Sequence, residues 1–389
     1  MNFEFTQEQL ADADRFRSIV NEKIAPLAQK IDQSSPTERD EIVRSHFKTL
    51  GELGYLKLSA SEGVGGAGRG ALEWTLHAEM LAKVCPSTFL AAYAATEMAC
   101  VPITLFGNEI QRQQYVVQTL NGDTLGAFAL TEPEGGSDPL GIKTSAGKDG
   151  DGWVLNGCKT YVTNGPVCDF AVVLAVTKSD GGVKGMSLFI IDAKTAGFDN
   201  SKRLETMGHR GAALGELVFK DCRVGPEALI GMENEGFGYA MHALQSGRLA
   251  ASVGSLGIGQ AGLALALPRA MTRESRGKKI IRNQEVSFKL AEMYALIDTG
   301  RLLVQYAASS IDTGDAETGP NVSCAKIFTS EAATKISTLT VQVFGAAAYV
   351  VGHPAERLYR DARAGEIMYG PSEIQRVMLA QDLIGKYGV

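Results

Sequence analysis

Two stretches of the chain combine hydroxyl side chains, small residues and strand-like runs in a way that suits a polar, planar ligand. One is Ala129-Leu130-Thr131-Glu132-Pro133-Glu134-Gly135-Gly136-Ser137-Asp138; the other is Gly157-Cys158-Lys159-Thr160-Tyr161-Val162-Thr163-Asn164-Gly165. Both end β-like runs with short donors and little bulk, which lets backbone amides and hydroxyls approach a flat ligand. Turns at strand ends use the same residues, so on these residues alone a structural turn is the simpler reading. A third stretch, Gly63-Val64-Gly65-Gly66-Ala67-Gly68, matches the G-x-G-x-x-G dinucleotide pattern letter for letter. That pattern needs a buried strand before it and a second strand after the next helix. Here Ala71 to Val84 runs into Cys85-Pro86-Ser87 and more helix, so a plain loop between helices is expected.

Acid–base chemistry has few candidates. Histidines 46, 77, 209, 242 and 353 show no metal-ligand spacing, and the 6 cysteines lack any C-x-x-C pair, so neither a metal site nor a disulfide framework is indicated. Glu97 stands out by its surroundings, because Leu90, Ala94, Glu97 and Val101 recur at helical spacing between about Ser87 and Leu105. A carboxylate among such neighbours has a raised pKa; the plain alternative is a solvated or salt-bridged glutamate.

The elements that must position these residues fall into three blocks. Up to about residue 118 the pattern is helical, opened by a possible Thr6–Gln9 capping box. From about Thr124 short β-branched runs such as Phe170 to Thr177 and Met186 to Ile191 alternate with turns such as Asp149-Gly150-Asp151-Gly152, which reads as an antiparallel β domain ending near Gly225-Pro226. After Gly236 the helical period returns, and Leu290, Met293, Ile297, Gly300, Val304 and Ala307 trace one long stripe suited to a helical bundle. With no βαβ alternation, the expected class is α+β, in domains 1–120 (helical), 121–228 (β) and 229–389 (helical).

Composition fits that picture: 389 residues, 45% hydrophobic and 21% charged, are enough for several folded domains. A net charge of -6 and the absence of a long basic run argue against a nucleic-acid partner. The N-terminus lacks the basic start and apolar core of a secretory signal, and no window reaches about 18 uninterrupted apolar residues, so a cytoplasmic protein without a membrane partner is expected.

Taken together, the two hydroxyl-rich stretches resemble the flavin-contacting segments of the acyl-CoA dehydrogenase superfamily. The resemblance runs over essentially the whole chain. Its further markers are Gly107-Asn108-Glu109, Gly208-His209-Arg210-Gly211, Gly236-Phe237 with Gly247-Arg248, Arg273, Gln342-Val343-Phe344-Gly345, Tyr359-Arg360-Asp361-Ala362-Arg363 and Ser372-Glu373-Ile374-Gln375-Arg376. It implies an N-terminal helical domain, a middle β domain and a C-terminal four-helix bundle. It also implies FAD, with the isoalloxazine ring between the last two domains.

On the matching positions, Phe128, Leu130 and Thr131 would line the ring edge and Ser137 would bond phosphate or thioester-side groups. Thr163 would bond near N5, and Tyr161 would stand where a Trp or Phe usually packs on the flavin. Arg273 would hold the far end of FAD together with a neighbouring subunit's Gln342 and Gly345, which implies a homotetramer built from two dimers. Ala346 and Ala348 stand where the family pattern has glycines; methyl groups make positive φ costly, so that loop must settle differently. Ala94, Met98, Ser137, Arg248 and Gly370 fall where the substrate binds.

The catalytic glutamate of ordinary members is missing. Its usual segment aligns with Ile367-Met368-Tyr369-Gly370-Pro371, which puts Tyr369 in its place, and the minority address, just before an arginine, is Gly247. A tyrosine of ordinary pKa costs about 4 kcal/mol to ionise at pH 7, so Tyr369 suits packing or hydrogen bonding better than proton abstraction. Glu97 lies on the helix that walls the acyl pocket in the family and is the expected base. Glu366 and Glu373 stand where acidic or amide residues are common in the family and gain no special role. The implied function is α,β-dehydrogenation of an acyl thioester, on CoA or an acyl-carrier protein, with hydride transfer to flavin N5 and an electron-transfer flavoprotein as possible acceptor. The alternatives are a redox-neutral flavoprotein catalysing elimination, desulfination or ring closure, and a flavin-binding partner without turnover.

Overall fold

Thr6 accepts a hydrogen bond from the Gln9 backbone while the Gln9 side chain accepts one from the Thr6 N–H, and helix Gln7–Lys23 follows from this capping box. The computed structural model describes residues 3–138 and 141–388. Helices Ala25–Gln33, Pro36–Glu52 and Gly70–Val84 continue the N-terminal layer. The rod Pro86–Phe106 passes behind them, and its centre, Ala94–Ala99, is wound as a π turn. A π turn widens the ladder to i→i+5 bonds, which aligns residues five apart, here Tyr93 and Met98.

The glycine-rich stretch is indeed a loop, a short turn at Glu62–Val64 with no strand before it. An added Cβ on Gly66 would lie 2.0 Å from the Ala60 carbonyl oxygen, so the loop folding on itself accounts for that glycine.

Among the described residues the middle block is one sheet of nine strands. They are β1 (Gly126–Ala129), β2 (Ser145–Asp149), β3 (Gly152–Thr163), β4 (Phe170–Val176), β5 (Met186–Asp192), β6 (Phe198–Asp199), β7 (Arg203–Leu204), β8 (Leu214–Val224) and β9 (Leu229–Ile230). The order is β6-β8-β3-β2-β4-β5-β9, with β1 beside β4 and β7 beside β8. The sheet is mixed where a purely antiparallel one was expected. β1 runs parallel to β4, and Ser145 pairs with Val176 in parallel. Between β1 and β4 the chain first makes the β2–β3 hairpin, so it re-enters beside β1 in the same direction, as a tight two-residue turn does not allow. Residue alternation is the same in both kinds of pairing and does not reveal the difference.

The C-terminal block packs helix Gly236–Thr272 against Gln284–Thr313 and Thr318–Phe344, with Ser372–Tyr387 on the outer side of the last. All six residues of the stripe from Leu290 to Ala307 are buried. Close approach at the long helix rests on missing side chains: a Cβ on Gly257 would lie 2.6 Å from that of Ala82. Helices Pro86–Phe106 and Gly236–Thr272 are long and apolar enough to cross a bilayer, but 67% and 78% of their apolar windows are buried inside the fold, so they serve as core helices.

Candidate active site

The two hydroxyl-rich stretches meet, and a buried ion pair joins them. Thr160 N–H donates to the Thr131 carbonyl at 2.8 Å. Lys159 Nζ donates to the Leu130 carbonyl at 3.0 Å and to Glu132 Oε1 at 2.7 Å. The same carboxylate accepts from the backbone amides of Lys143 at 2.7 Å and Thr144 at 2.9 Å. Lys159 is 0% exposed; burial pulls its ammonium down to about 8 against the opposing pull of Glu132. Burial pushes the Glu132 carboxyl up, but Lys159 and the donors from Thr144 and Lys143 outweigh it and hold the group below its ordinary value. Both partners are therefore charged at neutral pH.

Beyond Lys159 the β3–β8 register shifts, and Tyr161 leaves the ladder with φ 54° and 64% of its surface exposed. A bulge re-aims a side chain, and here it turns an aromatic face outward. Phe128, Leu130 and Thr131 are half-buried beside it, and Ser137 is exposed on the adjoining loop. At the end of β3, Asn164 Nδ2 bonds the carbonyls of Ala91 at 2.9 Å and Gly126 at 3.1 Å, which ties the strand end carrying Thr163 to the rod Pro86–Phe106.

The opposite wall comes from the bundle. Tyr369 (φ 55°) and Gly370 (φ 89°) are consecutive left-handed residues, a costly arrangement for tyrosine that the surroundings must hold. Gln375 Nε2 bonds the Gly370 carbonyl at 3.0 Å, and Ser323 Oγ donates to Gln375 Oε1 at 3.0 Å. Lys326, itself pulled down to about 8 by burial, donates to the Glu366 carbonyl at 3.3 Å. Burial pushes the Tyr369 phenol up, and the hydroxyls of Tyr93 and Thr163 oppose the shift. The Tyr93 ring meets Tyr369 edge-on at 5.4 Å. A Cβ on Gly247 would sit 2.3 Å from Met98 Sδ and 3.4 Å from Tyr369 Cδ1, so the site as packed has no room for a glutamate at that address. Arg248 is half-buried, its guanidinium pulled down by burial, and its Nε makes no hydrogen bond among the described residues.

Thr163, Tyr369, Gly247 and Met98 thus converge, with Ala94 buried on the same rod, and Tyr93 joins them. Tyr93 was not among the expected residues, since its alignment with Met98 depends on the π turn. Glu97 faces elsewhere. Its Oε1 accepts from Ser59 Oγ at 2.7 Å, and it lies near enough to Tyr55 to push that phenol up further. Burial raises the Glu97 pKa, opposed by Ser59 and Thr96. Glu366 bonds Thr334 and Arg363, a structural role. Arg273, Gln342 and Gly345 are exposed; Gly345 takes φ 64°, and the following turn Gly345–Tyr349 keeps Ala346 and Ala348 out of the left-handed region.

These residues fit a flavin with a thioester beside it. An outward aromatic and half-buried apolar groups offer a face for a planar ring, while Arg248 Nε is a buried polar atom without a hydrogen-bond partner among the described residues, near the point where strand and bundle walls meet. Acyl-CoA dehydrogenase N-terminal, middle and C-terminal domain models match residues 6–123, 127–222 and 234–384. The chain belongs to the acyl-CoA dehydrogenase family, a class of FAD-dependent oxidoreductases. It is similar to the mitochondrial short-chain specific acyl-CoA dehydrogenase of Rattus norvegicus, 37% identical over 373 residues that cover 95% of this chain and 89% of that protein. Among solved structures it is similar to butyryl-CoA dehydrogenase from Megasphaera elsdenii, with TM-score 0.92, 33% identity and coverage of 99% and 100%. A chain from the electron transferring flavoprotein study of Acidaminococcus fermentans superposes with TM-score 0.92 at 34% identity, covering 99% of this chain and 100% of that one.

Proposed function

We propose that the protein dehydrogenates an acyl thioester carried by CoA between Cα and Cβ, and that an electron-transfer flavoprotein takes the electrons. The observation that supports this best is the meeting of Thr163 from the β domain with Tyr369, Gly247 and Met98 from the helical domains. When bound, FAD supplies the hydride acceptor. Thr131, Ser137 and Thr163 orient the ring and its attached groups, and Tyr161 covers an open face. Tyr369 shapes the pocket, while Arg248 and Gly370 offer donors on the substrate side. For Glu97 to accept the α-proton its carboxylate must leave Ser59 and turn toward Tyr369; it is the one carboxylate on the rod Pro86–Phe106, and its raised pKa brings it closer to the working pH.

The exposed apolar residues Tyr349, Val350, Val351, Phe288, Tyr294 and Leu302 support a homotetramer in which Gln342 and Gly345 serve the FAD of a neighbour. The cytoplasm is the proposed compartment. A redox-neutral reaction on the same scaffold is the second reading, favoured by the Glu97 carboxylate bonding Ser59 and the tyrosine at the usual base position. Anaerobic mixing with acyl-CoA and acyl-carrier thioesters separates the two. Bleaching of the yellow flavin band supports the dehydrogenase; conversion of thioester without net flavin reduction supports the redox-neutral reading.

A further inference from the structure

Ser323, Lys326 and Gln375 are packed inside the C-terminal bundle, where apolar side chains would cost less to bury. The buried hydroxyls of Thr329 and Thr340 bond back to their own helix, but these three side chains reach away from theirs. Ser323 and Lys326 stand three residues apart on helix Thr318–Phe344, so they share a face, and both are directed at one short segment. Lys326 Nζ donates to the Glu366 carbonyl at 3.3 Å. Ser323 Oγ donates to Gln375 Oε1 at 3.0 Å, and Gln375 Nε2 donates to the Gly370 carbonyl at 3.0 Å. Gln375 lies in the first turn of helix Ser372–Tyr387, so its amide ties that helix, through Ser323, to the preceding turn. Between the two anchored carbonyls lie Ile367, Met368 and Tyr369. Tyr369 holds φ 55° and Gly370 φ 89°, and a left-handed tyrosine relaxes unless its surroundings fix it. A Cβ on Gly370 would lie 2.6 Å from Gln375 Nε2, so the bond closes on a glycine and not on a larger residue. Thr163 and Tyr93 meet the Tyr369 phenol at its tip, while the bundle holds its backbone.

We propose that Gln375, itself aimed by Ser323, is a positioning residue of the site: it keeps the Tyr369–Gly370 turn left-handed, which sets the Tyr369 ring against Thr163 and thereby how tightly the thioester binds. This rests on the acyl-thioester reading of the site. Gln375 is 0% exposed and acts through the turn, not by contact with the ligand.

The test uses the FAD-loaded protein and two variants: Gln375→Met, of similar length but without the amide, and the milder Ser323→Ala. Amide hydrogen exchange without thioester reads the turn, since the Ile367 and Met368 amides both bond the Ala364 carbonyl at 3.0 Å and are protected while it holds. Titration with butyryl-CoA reads the pocket. In Gln375→Met, exchange in the peptide 367–370 rises about tenfold, the factor one hydrogen bond supplies, while the strands exchange as in the parent and FAD stays bound. Butyryl-CoA binding weakens by about the same factor. Ser323→Ala moves both readouts the same way by less. In a Tyr369→Ala background, which has no ring to place, adding Gln375→Met changes butyryl-CoA affinity by less than about twofold. Unchanged exchange at 367–370 in both variants, or an affinity loss as large without the Tyr369 ring as with it, overturns the inference and leaves the dehydrogenase reading standing. A parent that binds no butyryl-CoA, with exchange rising as expected in Gln375→Met, counts against the thioester reading and not against the hold of Gln375 on the turn.

Discussion

On the strand side of the site, Lys159, Glu132, Thr160 and Asn164 bind the ligand-facing segments to each other and to the neighbouring rod. On the bundle side the facing wall is a glycine where a side chain does not fit and a tyrosine held left-handed, with Met98 of the neighbouring rod pressed against the glycine. The resemblance implies that the first side keeps the residue types of the family pattern apart from Tyr161, and that the second departs from it at Tyr369 and Gly247, where a glutamate is expected. On the proposed reading the residues that hold the cofactor and the tyrosine that shapes the substrate pocket sit on separate walls, and one wall can change while the other stays. Perturbing each wall in turn sharpens the contrast.

The largest loss is expected on the strand side. Lys159→Met leaves Glu132 buried without its cation, which costs about 3–5 kcal/mol and releases FAD; a melting curve with flavin quantitation checks both. Acid probes the same pair. The stability that Glu132 contributes is present above its unfolded value near 4.5 and is lost as pH falls through its lower folded value. Flavin retention in the parent therefore drops below about pH 4.5, and Glu132→Gln, weaker at neutral pH, lacks that drop.

On the bundle wall the effects are smaller. Gly247→Ala overpacks against Met98 and costs about 1–3 kcal/mol, while FAD stays bound. Adding Met98→Ala recovers part of that loss, a non-additivity that thermal denaturation of the four variants measures. No recovery in the double variant removes the contact from the account.

Glu97→Gln has the opposite sign for stability. A carboxylate raised in the fold costs nothing below its unfolded value near 4.5, and the cost grows as pH rises through the folded value and persists above it. The amide still accepts from Ser59, so Glu97→Gln matches the parent in acid and is at least as stable near neutral pH.

The sequence made much of this legible and hid specific parts. The stripe from Leu290 to Ala307 and the Thr6–Gln9 cap follow from local periodicity and hydrogen bonding, which short-range patterns encode. The parallel pairing of β1 with β4 depends on where the intervening hairpin returns the chain, and strand alternation is blind to that. Tyr93 joins the site because the π turn at Ala94–Ala99 realigns it with Met98, whereas a 3.6-residue period separates the two. The same realignment leaves Glu97 on the side of Ser59. The residue types at the hydroxyl-rich stretches were readable, but the buried bond from Lys159 to Glu132 joins residues far apart in sequence.

The most direct measurement is single-turnover flavin reduction, without oxygen, by a thioester that bleaches the parent. With Glu97 as base, Glu97→Gln keeps its FAD and its fold but slows reduction about 10²- to 10⁴-fold, while Tyr369→Phe slows it less. Reduction at the parental rate in Glu97→Gln, with collapse in Tyr369→Phe, would contradict the account and assign the proton to the phenol.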